Sequence, residues 1–124
     1  MLPFDKSSIK YLKEYLYQSS VHDARCEAIR YDNTAKALTI DAVNPINKTR
    51  MRFCFQNVKI MISVSGDWIG SKETILSITV EDDDAHIQNY SKFGNCDITD
   101  SLCLVMQMFS GDELHIVAGE LFVE

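Results

Sequence analysis

The side chains best suited to chemistry are an acidic run and a nearby histidine, Glu81-Asp82-Asp83-Asp84 and His86. In an extended chain Asp82, Asp84 and His86 would face one side and offer two carboxylates and an imidazole to a metal ion. The run lacks the glycine and the distal glutamate of a calcium loop, and it follows a predicted strand, where solvated loops begin. We therefore predict no metal site, and we interpret the run as an acidic loop with partner docking as its candidate function.

The dipeptide His22-Asp23 is a second candidate for metal chemistry. Metal-dependent phosphohydrolases use this dipeptide, but they take further His and Asp ligands from several helices, and this sequence predicts one helix. Neighbouring residues in a strand also point to opposite faces, so these two side chains cannot readily chelate one ion. We interpret them as a capped turn that leads into a strand.

Nucleophilic catalysis would need a serine or cysteine beside a base, and neither Ser65 nor Ser110 lies in a G-x-S-x-G elbow. No G-x-G-x-x-G or P-loop stretch provides a phosphate cradle. We therefore predict no catalytic residue and no cofactor. The alternative hypothesis, a small enzyme or ligand-binding domain, requires polar side chains from separate elements to converge in one cleft. Those side chains are His22, His86, His115 and Asp112.

Trp68 is the single tryptophan and lies between two glycines, in Gly66-Asp67-Trp68-Ile69-Gly70. A tryptophan in such a loop either folds back to cover the core or anchors an interface, and core cover is the more common outcome. If Trp68 is an interface residue, we expect it to contact the same partner as the acidic run. The partner-binding residues predicted from the sequence are therefore Trp68, Glu81, Asp82, Asp83 and Asp84.

The overall charge and composition exclude several classes of protein. The net charge is −6, whereas binding to a phosphate backbone requires clustered Lys and Arg, so a basic protein is the expected partner and nucleic acid is not. The first residues lack the basic and apolar regions of a secretory signal, and no apolar run is long enough to span a membrane. The four cysteines form no CxxC pair. These features predict a cytoplasmic protein with reduced thiols and no membrane partner.

The spacing of hydrophobic residues predicts the helix and the strands that position these side chains. Ile9, Leu12 and Leu16 recur at helical intervals and predict one amphipathic helix over residues 6–17. Beyond Ser20 the spacing changes to the alternation of strands, with a bulge or break at Gln56-Asn57. Strands are predicted over residues 24–31, 37–43, 51–55, 58–64, 76–81 and 102–108, followed by a bent terminal strand over 114–123.

Two segments fit both spacings. Residues 86–93 are left open between strand and helix, and residues 97–109 match either template, although the following Ser110-Gly111-Asp112 turn favours a strand there. The sequence thus predicts one α+β domain over residues 1–124, with an N-terminal helix packed on a mainly antiparallel sheet. The sheet is expected to be a meander or sandwich of roughly seven or eight strands.

The order of these elements resembles that of small uncharacterised bacterial β-rich proteins, some of which are similar to immunity proteins of polymorphic toxin systems. The resemblance lies in the helix and in four short stretches that follow it. These are Ser19-Ser20-Val21-His22-Asp23-Ala24, Tyr31-Asp32-Asn33, Phe53-Cys54-Phe55-Gln56-Asn57-Val58 and Ser110-Gly111-Asp112. All are turn or core residues, so the resemblance implies a fold and transfers no site residue.

The leading functional hypothesis is a non-catalytic protein-binding module, with an immunity-type inhibitor as its specific form. Such a module needs no catalytic motif, and its acidity suits a basic partner. The oligomeric state is left open, because sheet edges and the tyrosines Tyr11, Tyr15 and Tyr17 serve a monomer or a homodimer equally well.

Overall fold

The computed structural model describes residues 2–64, 74–81 and 84–124. It has the α+β fold expected from the sequence, with an antiparallel sheet and two helices. The elements in chain order are β1 (Leu2–Asp5), a 3-10 turn (Lys6–Ser8), α1 (Ile9–Gln18), β2 (Arg25–Asp32), β3 (Ala37–Val43), β4 (Arg50–Val64), β5 (Ile75–Val80), α2 (Ala85–Gly94), β6 (Leu102–Met108) and β7 (Glu113–Val123).

In the described residues the sheet has seven strands: six follow the order β2-β3-β4-β7-β6-β5, and β1 also pairs with β7. Strand β7 is central: β4 pairs along one side of it, from Phe53↔Val123 to Val64↔Glu113. Its other side is shared, because β6 pairs with the first part of β7 and β1 with the last part, through Leu2↔Val123. Strand β7 is therefore paired on both sides along most of its length.

The two edges of the sheet approach each other at one corner. A bridge joins Arg25 to Thr74, the amide of Ile75 donates to the Ala24 carbonyl at 2.7 Å, and the amide of Asp23 donates to the Ile75 carbonyl at 3.0 Å. Since these residues begin the edge strands β2 and β5, the sheet is curved enough for its ends to meet there. Beyond this corner β2 and β5 separate.

Helix α1 packs on the concave face of this sheet. Its buried residues Leu12 and Leu16 lie one turn apart, as the helical spacing predicts, and they join the main core of the protein. The strands contribute alternate residues to the same core, for example Phe53 and Phe55 of β4.

Helix α2 packs on the opposite face over a smaller core. That core contains Ile60, Ile87, Cys103 and Val117. In β4, Val58 faces the α1 core whereas Ile60 faces the α2 core, because a register shift lies between them. One long strand thus serves both helices, in place of the two separate strands expected around Gln56-Asn57.

The segment left open at residues 86–93 is helical, within α2. Its helix begins where the Asp84 side chain accepts a hydrogen bond from the amide of Ile87 at 3.0 Å, which is an N-cap. The strand interpretation of residues 97–109 is confirmed for 102–108, and the N-terminal helix is confirmed with slightly later bounds, Ile9–Gln18. Strand β1 was not foreseen. Within the described residues, no helix has the length and apolarity needed to cross a bilayer.

Candidate functional site

A buried histidine on β7 is the centre of a polar network that joins the sheet to α2. Along β7, Leu114 and Ile116 face the α1 core, so the alternation turns His115 and Val117 toward α2. His115 is only 1% exposed. A polar side chain at this depth requires hydrogen-bond partners, and its surroundings provide two carboxylates.

Both ring nitrogens of His115 lie at hydrogen-bond distance from carboxylate oxygens. Nδ1 is 2.8 Å from Asp84 Oδ1, and Nε2 is 2.9 Å from Glu113 Oε1. Ionised carboxylates only accept hydrogen bonds, so both contacts are satisfied together when the ring carries a proton on each nitrogen. The imidazole of His115 is therefore held between two carboxylates from different elements.

The network continues from Glu113 across the sheet. Gln107 of β6 donates from Nε2 to Glu113 Oε2 at 3.0 Å, and the Ser77 hydroxyl of β5 lies 3.4 Å from Gln107 Oε1. The hydrogen bond from Gln107 and that from His115 lower the pKa of Glu113 below its ordinary value, against the opposing effect of burial. Three strands and the start of α2 are thus linked by one hydrogen-bonded chain.

The four polar residues expected to share one cleft are divided among separate places. His86 and His115 are together, with ring centroids 4.9 Å apart. His22 instead lines the α1 side of the sheet, where its Nδ1 is 3.2 Å from Asp23 Oδ1 and its ring meets the edge of Phe109. Asp112 accepts a hydrogen bond from Ser110 in the β6–β7 turn. The expectation of a single cleft is therefore wrong.

Asp84, Glu113 and His115 are fixed to one another rather than arranged around a cavity. Among the described residues, no group of three His, Cys, Asp or Glu side chains has the geometry to hold a metal ion. Asp84 also caps α2, so the network holds that helix on the sheet at a defined position. Its evident effect is to position the exposed surface of α2.

Of the predicted partner-binding residues, the structure describes Glu81, which is exposed, and Asp84, which is turned toward the protein interior. Glu81 is exposed just after β5 and accepts a hydrogen bond from the Thr79 hydroxyl at 3.1 Å. Asp84 is turned inward, to His115 and to the α2 backbone. Trp68, Asp82 and Asp83 lie outside the described residues. The docking function of this set stays a prediction.

Helix α2 presents an aromatic surface that the sequence analysis did not single out. Phe93 is 85% exposed and Tyr90, three residues earlier on the same side of the helix, is 54% exposed. We define the α2 surface as these two side chains with the residues that border the same shallow depression, Ile62, His86, Asn89 and Gly94. The signal was missed because residues 86–93 had no assigned period, and without a helix the two aromatic residues do not share a face.

The arginines of the protein lie elsewhere on the sheet. All four arginines lie on β2 and β4, at positions 25, 30, 50 and 52. Asp41 of β3 lies between two of them, 2.6 Å from Arg30 Nη2 and 2.7 Å from Arg52 Nε. Burial raises the pKa of Asp41, but the hydrogen bonds from Arg52 and Arg30 outweigh it and leave the pKa below its ordinary value. This clamp joins three strands.

The chain was also compared with known proteins. No protein-family model and no curated protein sequence matches it. Its function is therefore inferred from the geometry and charge of its own surface.

Proposed function

We propose that this protein is a non-catalytic binding module that docks a basic protein through the α2 surface and the acidic residues beside it. The observation that carries the proposal is the pair Tyr90 and Phe93, exposed side by side on a helix that is otherwise anchored to the sheet. Tyrosine, tryptophan and arginine dominate the binding energy of protein interfaces, and aromatic side chains in general are enriched there.

The anchoring of α2 supports this role. Ile87 packs into the small core, Asp84 caps the helix, and His115 holds Asp84 from below. A rigid helix presents its side chains without a large ordering cost when a partner binds. The buried polar network thus pre-organises an interface, a function that requires no reacting group.

Charge around α2 selects the kind of partner. Residues 81–100 contain six carboxylates and a single lysine, Lys92. Glu81 is exposed at the beginning of this stretch, and Asp97 and Asp100 are exposed after the helix. A basic surface would be attracted to this region and steered toward the two aromatic residues. We therefore expect a partner that surrounds an apolar pocket with Lys and Arg.

Affinity capture tests the proposal. The tagged protein is immobilised, exposed to a lysate of its native host, and the retained proteins are quantified by mass spectrometry. We expect a basic protein that is lost in the double variant Tyr90→Ala/Phe93→Ala and weakened by salt. Capture by that variant at the wild-type level, or no enriched basic protein, would overturn the proposal.

Two matched variants separate docking from general surface effects. Tyr11→Ala removes an equally exposed aromatic residue from α1, and Glu14→Lys reverses a charge there. Both should retain the partner, whereas Glu81→Lys should slow its association several-fold, because it reverses an attractive charge just before α2. Stopped-flow kinetics with the purified partner measures the association rates, and titration calorimetry measures the affinities.

The specific form of the proposal is an immunity-type inhibitor, in line with the resemblance in element order. If so, the captured protein should arrest growth when expressed alone in a bacterial host, and co-expression with this chain should restore growth. Restoration should fail with Tyr90→Ala/Phe93→Ala. A captured partner that is harmless when expressed alone would exclude the inhibitor role and leave the binding module intact.

A further inference from the structure

A groove with a volume of about 730 Å³ lies between α1 and β5. One wall is the edge strand β5, and the other is α1 with the loop that follows it. The lining residues are Lys13, Leu16, Tyr17, Val21, His22, Ser77, Ile78, Thr79, Val80 and Glu81. Most of the exposed lining is apolar, with Leu16, Val21 and Ile78 belonging to the main core.

The two edge strands of the sheet differ in how well they are protected against pairing with another chain. Strand β2 carries Arg25, Glu27, Arg30 and Asp32 and has a bulge near Cys26, features that discourage pairing with another chain. Strand β5, Ile-Leu-Ser-Ile-Thr-Val, contains no charged residue and no proline. An uncharged strand of β-branched and apolar residues is a good template for an added strand.

The backbone of β5 presents alternate groups to this edge. The backbone amide of Glu81 donates a hydrogen bond to the Cys103 carbonyl of β6 at 2.8 Å. Because backbone groups alternate in direction along a strand, the N–H and C=O groups of Thr79 also point toward β6. The intervening residues Ile78 and Val80 therefore direct their N–H and C=O groups away from β6, over the groove. These are the groups that a neighbouring strand would engage.

The chain itself already begins to pair along this edge. Residues 23–25 bond to Ile75 and bridge Thr74 before turning away as β2. Among the described residues, none continues this pairing along Ile78 and Val80. Residues 23–25 thus occupy the first part of the place that a further strand would take beside β5. The described residues leave the rest of that place, over the groove, without a paired strand.

The charges of the groove indicate what fits. Its charged and titratable lining residues are Lys13, Tyr17, His22 and Glu81. Glu81 is exposed at the end of the groove next to α2, so a cation that follows the paired segment would meet its carboxylate. An extended segment with alternating apolar side chains and a basic residue near Glu81 complements both the apolar floor and this charge.

We propose that the α1–β5 groove binds an extended segment of the basic partner, which adds a strand to the sheet at Ile78 and Val80. This inference rests on the proposed binding function and names a second contact made by the same partner. Backbone hydrogen bonds supply affinity in such strand addition, and the pockets for alternate side chains supply selectivity. A folded second copy fits less well, because it would bring its own α1 to the same edge.

A synthetic peptide tests the site with the intact protein. The probe is acetyl-Val-Thr-Val-Thr-Lys-amide, and binding is followed by ¹⁵N NMR. We expect shifts at the amides of Ile78 and Val80, together with slower hydrogen exchange at both. The same peptide N-methylated at alternate amides should bind about tenfold more weakly, because it lacks the donors for the edge carbonyls. Equal binding of the two peptides, or shifts located elsewhere, would overturn the proposal.

Variants check the same hydrogen bonds from the protein side. Val80→Pro removes an outward N–H without removing a bond to β6, so it should weaken the peptide about tenfold. Replacing the peptide's lysine with glutamate should also weaken binding. Because the N-methylated peptide is tested on the wild-type protein, misfolding of Val80→Pro would not remove the test. Dimerisation with Ile78 and Val80 protected in the absence of peptide would assign the edge to a second copy and overturn the proposal.

Failure of this inference is distinguishable from failure of the proposed function. If Val80→Pro is folded and retains the captured partner with unchanged affinity, strand addition is wrong while the binding module stands. If no partner is captured yet the peptide binds at Ile78 and Val80, the groove is a peptide site while the proposed docking through α2 is wrong.

Discussion

The imidazole of His115 lies 2.8 Å from Asp84, and this contact joins the central strand of the sheet to the N-cap residue of α2. Asp84 has two functions at once, because the same Oδ1 atom also accepts the amide of Ile87. The position of α2, and with it the exposure of Tyr90 and Phe93, depends on this carboxylate.

Replacing Asp84 should therefore destabilise the protein by more than the loss of a helix cap alone would. We expect Asp84→Ala to lower the free energy of unfolding by about 2 kcal/mol, because an N-cap contributes about 1 kcal/mol and a buried partner is left unpaired as well. Asp84→Asn should lower the free energy of unfolding by a smaller amount, since asparagine also caps helices. Urea denaturation measures both, with Asp97→Ala on the exposed loop after α2 as the control. Equal losses for Asp84→Ala and Asp97→Ala would contradict this account.

The hydrogen bond from Gln107 is the main reason that the pKa of Glu113 lies below its ordinary value of 4.5. Replacing Gln107 with leucine should raise that pKa toward 4.5, and titration of the Glu113 side-chain carboxyl by ¹³C NMR measures the change.

The same shift has a consequence for stability. A carboxyl whose pKa is lower in the folded state stabilises the protein above its unfolded pKa, and this contribution is lost as the pH falls through the folded pKa. The stability difference between the wild type and Gln107→Leu should accordingly be larger near neutral pH than below pH 4.5. A difference that does not change with pH would show that Gln107 acts only through packing.

Asn57 has a φ of 54°, in the left-handed region, just before the register shift of β4 between Val58 and Ile60. Glycine adopts this conformation freely, whereas a β-branched residue does not, so Asn57→Val should be about 1–2 kcal/mol less stable than Asn57→Gly. Thermal unfolding of the two variants checks the difference. Gln56→Val, one residue earlier, is the control for adding valine to this exposed part of the strand, and a similar loss there would contradict the conformational explanation.

Burial raises the pKa of the Cys26 thiol to about 11, compared with 9.0 for an ordinary cysteine. Each pKa unit is a factor of ten in thiolate, so Cys26 should react with iodoacetamide about a hundredfold more slowly than an exposed thiol at pH 8. Peptide mapping by mass spectrometry measures the rate, with the half-buried Cys96 as the internal comparison. Labelling of both at one rate would contradict the burial of Cys26.

The main elements could be predicted because their signals are local. The spacing of Leu12 and Leu16 indicates a helix in any context, and the alternation through Met51, Phe53 and Phe55 indicates a strand with one buried face. Helix α2 was not predictable in this way. Its spacing is weak, and its start is fixed by the Asp84 cap, a side chain that the sequence also presents as part of a plain acidic loop.

The sequence by itself determined the α+β class, the positions of most strands and the net negative charge, because periodicity and charge are properties of neighbouring residues. Only the tertiary structure decided which distant side chains meet. His115, Asp84 and Glu113 come together because β7 passes under the start of α2, and no described residue pairs with β5 along Ile78 and Val80 because β2 turns away from it. Such contacts depend on the order of strands in the sheet, which no local pattern in the chain records.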